Sequence, residues 1–304
     1  MKQEDAIGVV GLGRMGWPLC ENLRDHGHRV VGYDLDAANR NRLATGGMEA
    51  VGSLDDLCAR LASPRHIILM VPAGAPVDAV LAELLPLLAA GDVVIDAGNS
   101  HYGDSLRRGA SLSEKGVGFL DVGMSGGMSG ARHGACLTIG GERRLFEQAE
   151  HLFRDIACEK GYLYVGPSGW GHLVKTIHNG IEYGFLQAIA EGLATIQAVA
   201  DEKGDAIDLV RLCEVWGHGS IITSRLLNDT VEALKLLREV EVPGKVGGGE
   251  TGRWAQEIAK AHQTPVPVLT ASLDQRLRSQ EVPDFSGKII AAIRNVFGGH
   301  SFGS

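Results

Sequence analysis

AIGVVGLGRMG, residues Ala6–Gly16, and RVVGYD, residues Arg29–Asp34, spell out a strand, a glycine turn, a helix start and a second strand ending in a carboxylate. Ala6–Val10 is a short apolar run of buried-strand type, and a helical pattern follows the turn as far as Leu23. In Gly11-Leu12-Gly13-Arg14-Met15-Gly16 the first two glycines permit a tight turn and close approach to a pyrophosphate. The third lets helix pack on strand, and the helix N-terminus adds free amides and a partial positive charge. A glycine turn alone is a weak signal. Asp34 makes it strong: it lies eighteen residues past Gly16 (34 − 16), where such a unit hydrogen-bonds the adenosine ribose. That carboxylate would also repel a 2′-phosphate, by ~4 kcal/mol at 4 Å and an effective dielectric near 20. NAD is therefore expected over NADP, with Arg40 and Arg42 nearby to soften the preference.

Further along, His66–Val71 and Asp92–Ala97 read as strands, with a helical Val77–Leu88 between them. Such alternation predicts an α/β fold, a Rossmann-type doubly wound, mostly parallel sheet. Ligands of these sheets sit beyond the carboxyl ends of the strands, which brings in Val71, Pro72 and Asn99. Phe119–Val122 is another strand and leads into Ser125-Gly126-Gly127, a hydroxyl followed by unobstructed amides suited to a carboxylate. Cys136–Gly140 and Tyr162–Val165 are expected to close the sheet. Beyond Ser168 strand-like runs give way to helical periodicity, with segments at Ala206–Val215, Ile221–Leu237, Arg253–His262 and Val268–Ser279. The expected division is an NAD-binding domain over 1–168 and an all-α C-terminal domain over 169–304.

The second domain opens on GWGHLVKTIHNGIEYG, Gly169–Gly184. Lys175, His178, Asn179 and Glu182 stand at i, i+3, i+4 and i+7, one face of a helix expected to run to about Ala200. An amine, an imidazole, an amide and a carboxylate on one stripe read as acid–base machinery at a cleft wall. The neighbouring stripe of Val174, Ile177, Ile181 and Phe185 is expected to bury. A base at neutral pH requires a neutral amine, hence a fall from about 10.4 to roughly 7–8 for such a lysine.

Composition narrows the function. The 304 residues carry a net charge of −8, which disfavours nucleic acid and anionic membranes as partners. No run reaches membrane-spanning length, and five scattered cysteines without a CxxC pair suit reduced thiols in the cytoplasm. His172 and His178 are six apart, off one helical face, so no metal site is expected.

Taken together, GLGRMG, DAGNSHYGDSLRR, VGMSGGMSGARHG, GWGHLVKTIHNGIEYG and, more loosely, GETGRW resemble the 6-phosphogluconate dehydrogenases, within the β-hydroxyacid dehydrogenase superfamily. KTIHNGIEYG is the specific part, and the likeness runs nearly the length of the chain in what resembles the family's short form. The resemblance implies oxidative decarboxylation of 6-phosphogluconate in the pentose phosphate pathway, or gluconate utilisation, by a homodimer or homotetramer. It assigns Lys175 as general base and Glu182 as the acid that protonates the enediol. Ser125, Gly126 and Gly127 would hold the carboxylate, and Asn99, His178 and Asn179 the hydroxyls. Tyr183, Arg253 and Arg276 would meet the phosphate, joined by Arg294 and His300 from a neighbouring subunit's C-terminal tail. The chain departs from the usual pattern where Asp34-Leu35 replaces an NADP-selecting arginine, and where Arg253 replaces lysine. A dehydrogenase for a smaller 3-hydroxy acid, without decarboxylation, is the rival expectation.

Overall fold

The computed structural model describes residues 6–302. It falls into two compact units that meet at Thr176/Ile177. The first runs through β1 (Ala6–Val10), α1 (Gly16–Asp25), β2 (Arg29–Tyr33), α2 (Ala37–Thr45), β3 (Glu49–Ala50), α3 (Leu54–Arg60), β4 (His66–Leu69) and α4 (Ala75–Leu84). It continues with β5 (Val93–Asp96), α5 (Tyr102–Ser113), β6 (Gly118–Ser125), α6 (Gly127–His133), β7 (Ala135–Gly141), α7 (Arg143–Ile156) and β8 (Ala157–Gly166). The long α8 (Trp170–Lys203) starts in this unit and runs into the second. There α9 (Leu209–Trp216), α10 (Arg225–Glu239), α11 (Glu250–Ala261), α12 (Pro267–Glu281) and α13 (Phe285–Gly298) follow without a described strand.

The described strands form one sheet in the order β3-β2-β1-β4-β5-β6-β7-β8. Pairing is parallel throughout except between β6 and β7. The exception follows from chain length. Nine residues (126–134) separate Ser125 from Ala135, and a parallel return needs a dozen or more. From β1 the chain moves outward to β2 and β3, then returns to place β4 on β1's other side. That reversal opens a crevice at the carboxyl ends of β1 and β4, where ligands of doubly wound sheets bind.

Both faces of the sheet are covered. One core gathers Ile7, Val9, Leu19, Leu23, Ile95 and Phe153, the other Val10, Val31, Leu57, Ile67, Leu69 and Val94. Alternate residues of a single strand serve opposite cores, as the two-residue period of a strand requires. In the second unit Leu186, Ala190 and Leu193 of α8 pack with Leu227 of α10 and Ile289, Ile290 and Ile293 of α13.

One expectation about α8 is overturned. Its apolar stripe does not bury: Ile177 is 38%, Ile181 69% and Phe185 38% exposed. These side chains line a groove of about 790 Å³ with Ala255, Ile258, Val266 and Leu269. The buried face of α8 is the one bearing Leu186, Ala190 and Leu193, which the stripe's spacing alone does not distinguish from it.

Candidate active site

The glycine turn after β1 has the geometry its sequence predicts. Gly11 holds φ +93°, and a Cβ there would stand 2.5 Å from the Met70 carbonyl oxygen. A Cβ on Gly16 would collide with the Gly11 carbonyl, so the third glycine allows α1 to close on the turn. Gly13 differs: a Cβ there would meet nothing within 4 Å. Its backbone faces open space, as a pyrophosphate-binding amide must. Leu12 and Gly16 are buried, whereas Arg14 is exposed and Met15 half-buried. The Asp34 carboxylate accepts the Leu12 N–H at 2.7 Å, the Asp36 N–H at 2.8 Å and the Asn39 amide at 3.2 Å. Its charge is thereby held beside the turn. Arg40 is engaged by the carbonyls of Asp34 and Leu35 at 2.6 and 3.0 Å, and Arg42 stacks on Trp17, 4.3 Å from the ring centroid. These residues fit a dinucleotide, with the turn for its pyrophosphate and Asp34 for its ribose.

Val71 and Pro72 follow β4, and the loop carrying Asn99 follows β5. The two loops touch, since a Cβ on Gly98 would lie 2.9 Å from the Val71 carbonyl oxygen. Asn99 is exposed, but its loop is braced from beneath. Buried Arg108 of α5 donates to Asp78 at 2.8 Å, to Ser100 at 3.0 Å and to the Gly74 carbonyl at 3.0 Å. Ser100 in turn donates to Asp96 at 2.7 Å. The Arg108 guanidinium also holds the Asp78 carboxyl below its ordinary range.

Ser125 ends β6, and Gly126 (φ +112°) and Gly127 (φ +60°) turn the chain into α6. Positive φ at two successive positions is what glycine is needed for here, and it leaves the amides bare of side chains.

Lys175 sits where α8 lies on the sheet. A Cβ on Gly123 of β6 would collide with the Lys175 Cβ and lie 2.8 Å from the Gly171 carbonyl oxygen. A Cβ on Gly171 would strike the Asp121 carbonyl and lie 2.7 Å from that of Thr138. Glycine on both surfaces therefore lets helix backbone touch strand backbone, and this is why the first turns of α8 belong to the sheet unit. The Asp121 carboxylate caps the helix, accepting N–H groups of Gly169 at 2.7 Å and His172 at 2.9 Å. Burial raises the Asp121 carboxyl above its ordinary range, partly opposed by His172 and those two amides. Lys175 is 9% and Asn179 8% exposed, Glu182 is half-buried, and His178 is exposed with its ring 3.3 Å from the Asn179 side-chain oxygen. One helix thus carries all four within an arc of about 100°, with Lys175 and Glu182 roughly 10 Å apart along the axis.

In the second unit the arginines gather. Arg276 of α12 stacks on the Tyr183 ring at 3.6 Å from its centroid, and the Tyr183 hydroxyl meets Thr251 at 3.1 Å. Gly252 makes room for that ring, since a Cβ there would collide with it. Arg294 of α13 lies close to the loop before α11: a Cβ on Gly248 would be 3.0 Å from its Nη2. Burial pushes the Arg276 guanidinium down to about 10, with Arg294's charge adding to the effect, and burial lowers Arg294 as well. Arg253, exposed in the first turn of α11, and the helix's own amides join this cluster, with Glu250 of the same turn and Glu182 of α8 as its carboxylates. Within the chain Arg294 stands close enough to Arg276 for their charges to repel. His300 stays with α13, its ring 6.2 Å from that of Phe297.

Sequence reasoning missed Asp121, Thr138 and the Arg108 brace. Asp96 and Asp121 were detectable as lone carboxylates within apolar strand runs, which must bury a charge and so find partners.

The profile described as the NAD binding domain of 6-phosphogluconate dehydrogenase matches residues 6–166, and the profile for that enzyme's C-terminal domain matches 171–283. The chain belongs to the 6-phosphogluconate dehydrogenase family. Within it, the Bacillus subtilis protein YqeC is 44% identical over 97% of this chain and 98% of its own length. An NAD(+)-dependent, decarboxylating 6-phosphogluconate dehydrogenase of Haloferax volcanii is 38% identical over 97% of both. Among solved structures, the 6-phosphogluconate dehydrogenase of Plasmodium falciparum superposes with a TM-score of 0.81 at 26% identity, over 96% of this chain and 70% of that one. Among the described residues no group of three His, Cys, Asp or Glu is positioned to hold a metal ion.

Proposed function

We propose that this chain oxidatively decarboxylates 6-phosphogluconate to ribulose 5-phosphate and carbon dioxide, with NAD as hydride acceptor, as a step of the pentose phosphate pathway or of gluconate utilisation. The observation that carries the reading is the amphoteric stripe on α8. Its lysine stands where helix backbone rests on the glycine of β6, and its glutamate lies two turns on, next to Tyr183 of the arginine corner. The Lys175 amine takes the proton of the substrate's 3-hydroxyl. Bound nicotinamide supplies the acceptor for the hydride from carbon 3. Lys175 then returns its proton to the new carbonyl oxygen as the carboxylate leaves, and it takes that hydroxyl proton back as Glu182 delivers a proton to carbon 1 of the enediol, leaving the ketone. Ser125, Gly126 and Gly127 hold the departing carboxylate, while Asn99, His178 and Asn179 orient hydroxyls. Tyr183, Arg253 and Arg276 take the phosphate dianion, joined by Arg294 and His300 from the C-terminal tail of a neighbouring subunit. Two guanidiniums whose charge is disfavoured by burial have most to gain from it.

NAD is favoured over NADP because the Asp34 carboxylate is pinned at the ribose end of the turn. A homodimer is favoured by the exposed Ile177, Ile181 and Phe185 along the groove, an apolar face that a second copy would cover. Five free thiols agree with a reducing, cytoplasmic setting, and no described helix is long and apolar enough to cross a membrane.

The test follows NADH absorbance and carbon dioxide release with 6-phosphogluconate and with unphosphorylated 3-hydroxy acids. Turnover of the phosphorylated substrate with one carbon dioxide per NADH is expected. In Lys175→Ala both products should fall by at least a thousandfold, since one amine handles both protons. Oxidation of a smaller 3-hydroxy acid alone would overturn the assignment.

A further inference from the structure

His172 has no part in the chemistry above, yet it is the most enclosed imidazole near it, at 1% exposure. It lies three residues before Lys175, on the same face of α8. Its Nδ1 is 2.7 Å from the Oγ of Ser105, itself fully buried in the first turn of α5. That turn begins directly behind the loop bearing Asn99, and Ser105 Oγ also reaches the His101 carbonyl at 3.3 Å. One buried hydrogen bond thus ties the helix that presents Lys175 to the helix that anchors the Asn99 loop. A second contact runs alongside it, with Ser168 Oγ donating to the Ser105 carbonyl at 3.4 Å.

Beside its attraction to the buried Asp121 carboxylate, the imidazole makes one further contact that a hydrocarbon ring could not. Among the described residues His172 Nε2 has no hydrogen-bond partner. Whichever tautomer is present, one ring nitrogen finds no partner among the described residues, whereas a phenyl ring of similar size needs none. The position of α8 along its axis is already set elsewhere, by the Asp121 cap and by the glycine seat under Lys175. Those contacts all reach α8 from the sheet, and the bond from α5 adds a hold on its rotation about the axis. A lysine amine lies roughly 6 Å from the axis of its helix, so a 10° roll displaces it by about 1 Å.

We propose that the Ser105–His172 hydrogen bond is a positioning device for catalysis: it fixes the roll of α8, and so holds the Lys175 amine in register with Asn99. The proposal rests on the reading of Lys175 as the base. Displacements of this size cost up to a hundredfold in rate while leaving binding largely intact.

Ser105→Ala, His172→Phe, His172→Asn and the double variant Ser105→Ala/His172→Phe test it with 6-phosphogluconate and NAD. Ser105→Ala and His172→Phe should each lower kcat tenfold or more, with KM for NAD within twofold of wild type. The double variant should be no worse than the poorer single one within twofold, because both changes break one bond. His172→Asn, whose amide occupies the place of Nδ1, should recover most of the loss. If both single variants keep kcat within twofold of wild type, or if their losses multiply in the double variant, the proposal is overturned. Should His172→Phe fail to fold, Ser105→Ala, which removes one oxygen atom, carries the test by itself.

Failure of wild type to turn over 6-phosphogluconate would overturn the assigned reaction but not this inference. The rate of reductive methylation of Lys175, read by mass spectrometry without substrate, then decides it. A threefold or larger change in Ser105→Ala is expected, and an unchanged rate overturns the proposal.

Discussion

At Gly123 a single methyl group would displace Lys175. An alanine Cβ would collide with the Lys175 Cβ and press on Thr138 Oγ1 at 2.6 Å and the Gly171 carbonyl at 2.8 Å. Two of these three neighbours belong to the first turns of α8, so the helix has to lift. Gly123→Ala should cost ~1–3 kcal/mol of stability, typical of overpacking, and lower kcat at least tenfold. A calorimetric scan and a steady-state assay check both, and an alanine variant of normal stability and rate would remove the seat from the account. Asp34 is the second residue on which much turns. Its carboxylate is held by three donors beside the glycine turn, so its charge is fixed in place. Asp34→Ser should raise kcat/KM for NADP at least tenfold, the equivalent of about 1.4 kcal/mol or roughly a third of the full repulsion. Wild type working better with NADP than with NAD would show that Arg40, reaching the same strand end, dominates instead.

Among the elements, α5 bears the brace under the Asn99 loop. Arg108 lowers the Asp78 carboxyl by hydrogen bonding, with Arg107 assisting. A carboxyl depressed in the folded state adds stability that is complete above its unfolded value and is lost as pH falls through the lower folded value. With an unfolded value near 3.8, the gap in Tm between wild type and Asp78→Asn should be constant from pH 7 to about 5 and close below that. Asp78 is 40% exposed, so solvent screening keeps the gap modest. Melting curves across that range check the sign; a gap that widens in acid would contradict it. The element α8 shows how much a periodicity can convey. The stripe of Lys175, His178, Asn179 and Glu182 follows from spacing alone, because a continuous helix fixes angular positions whatever surrounds it. Which of its apolar faces is buried does not follow, since two stripes of similar hydropathy compete and the neighbours choose between them.

For the molecule as a whole, the uncovered stripe is the main consequence. Ile181 at 69% exposure, with Ile177, Phe185 and Val268, leaves a groove that water covers poorly. A homodimer closing on it should dissociate when Ile181→Glu places a charge in its centre. Sedimentation of wild type and variant checks this. A wild type that is monomeric at micromolar concentration, or a variant that stays dimeric, would remove the groove as the interface.

The doubly wound sheet, its first two strands to the residue, the glycine turn with Asp34, and the polar stripe of α8 were all legible in the order of amino acids. Each rests on local rules: a strand's alternation, a helix's 3.6-residue turn, a glycine where no side chain fits. Contacts between residues far apart in the chain were not legible. Ser105 and His172 are 67 residues apart, Asp121 and Gly169 48, and Arg65 and Asp92 27. The antiparallel turn at β7, the cap on α8, the gathering of Arg276 with Arg294 and the exposure of Ile181 depend on such contacts. They come from packing, which selects one among several arrangements that the local pattern allows equally.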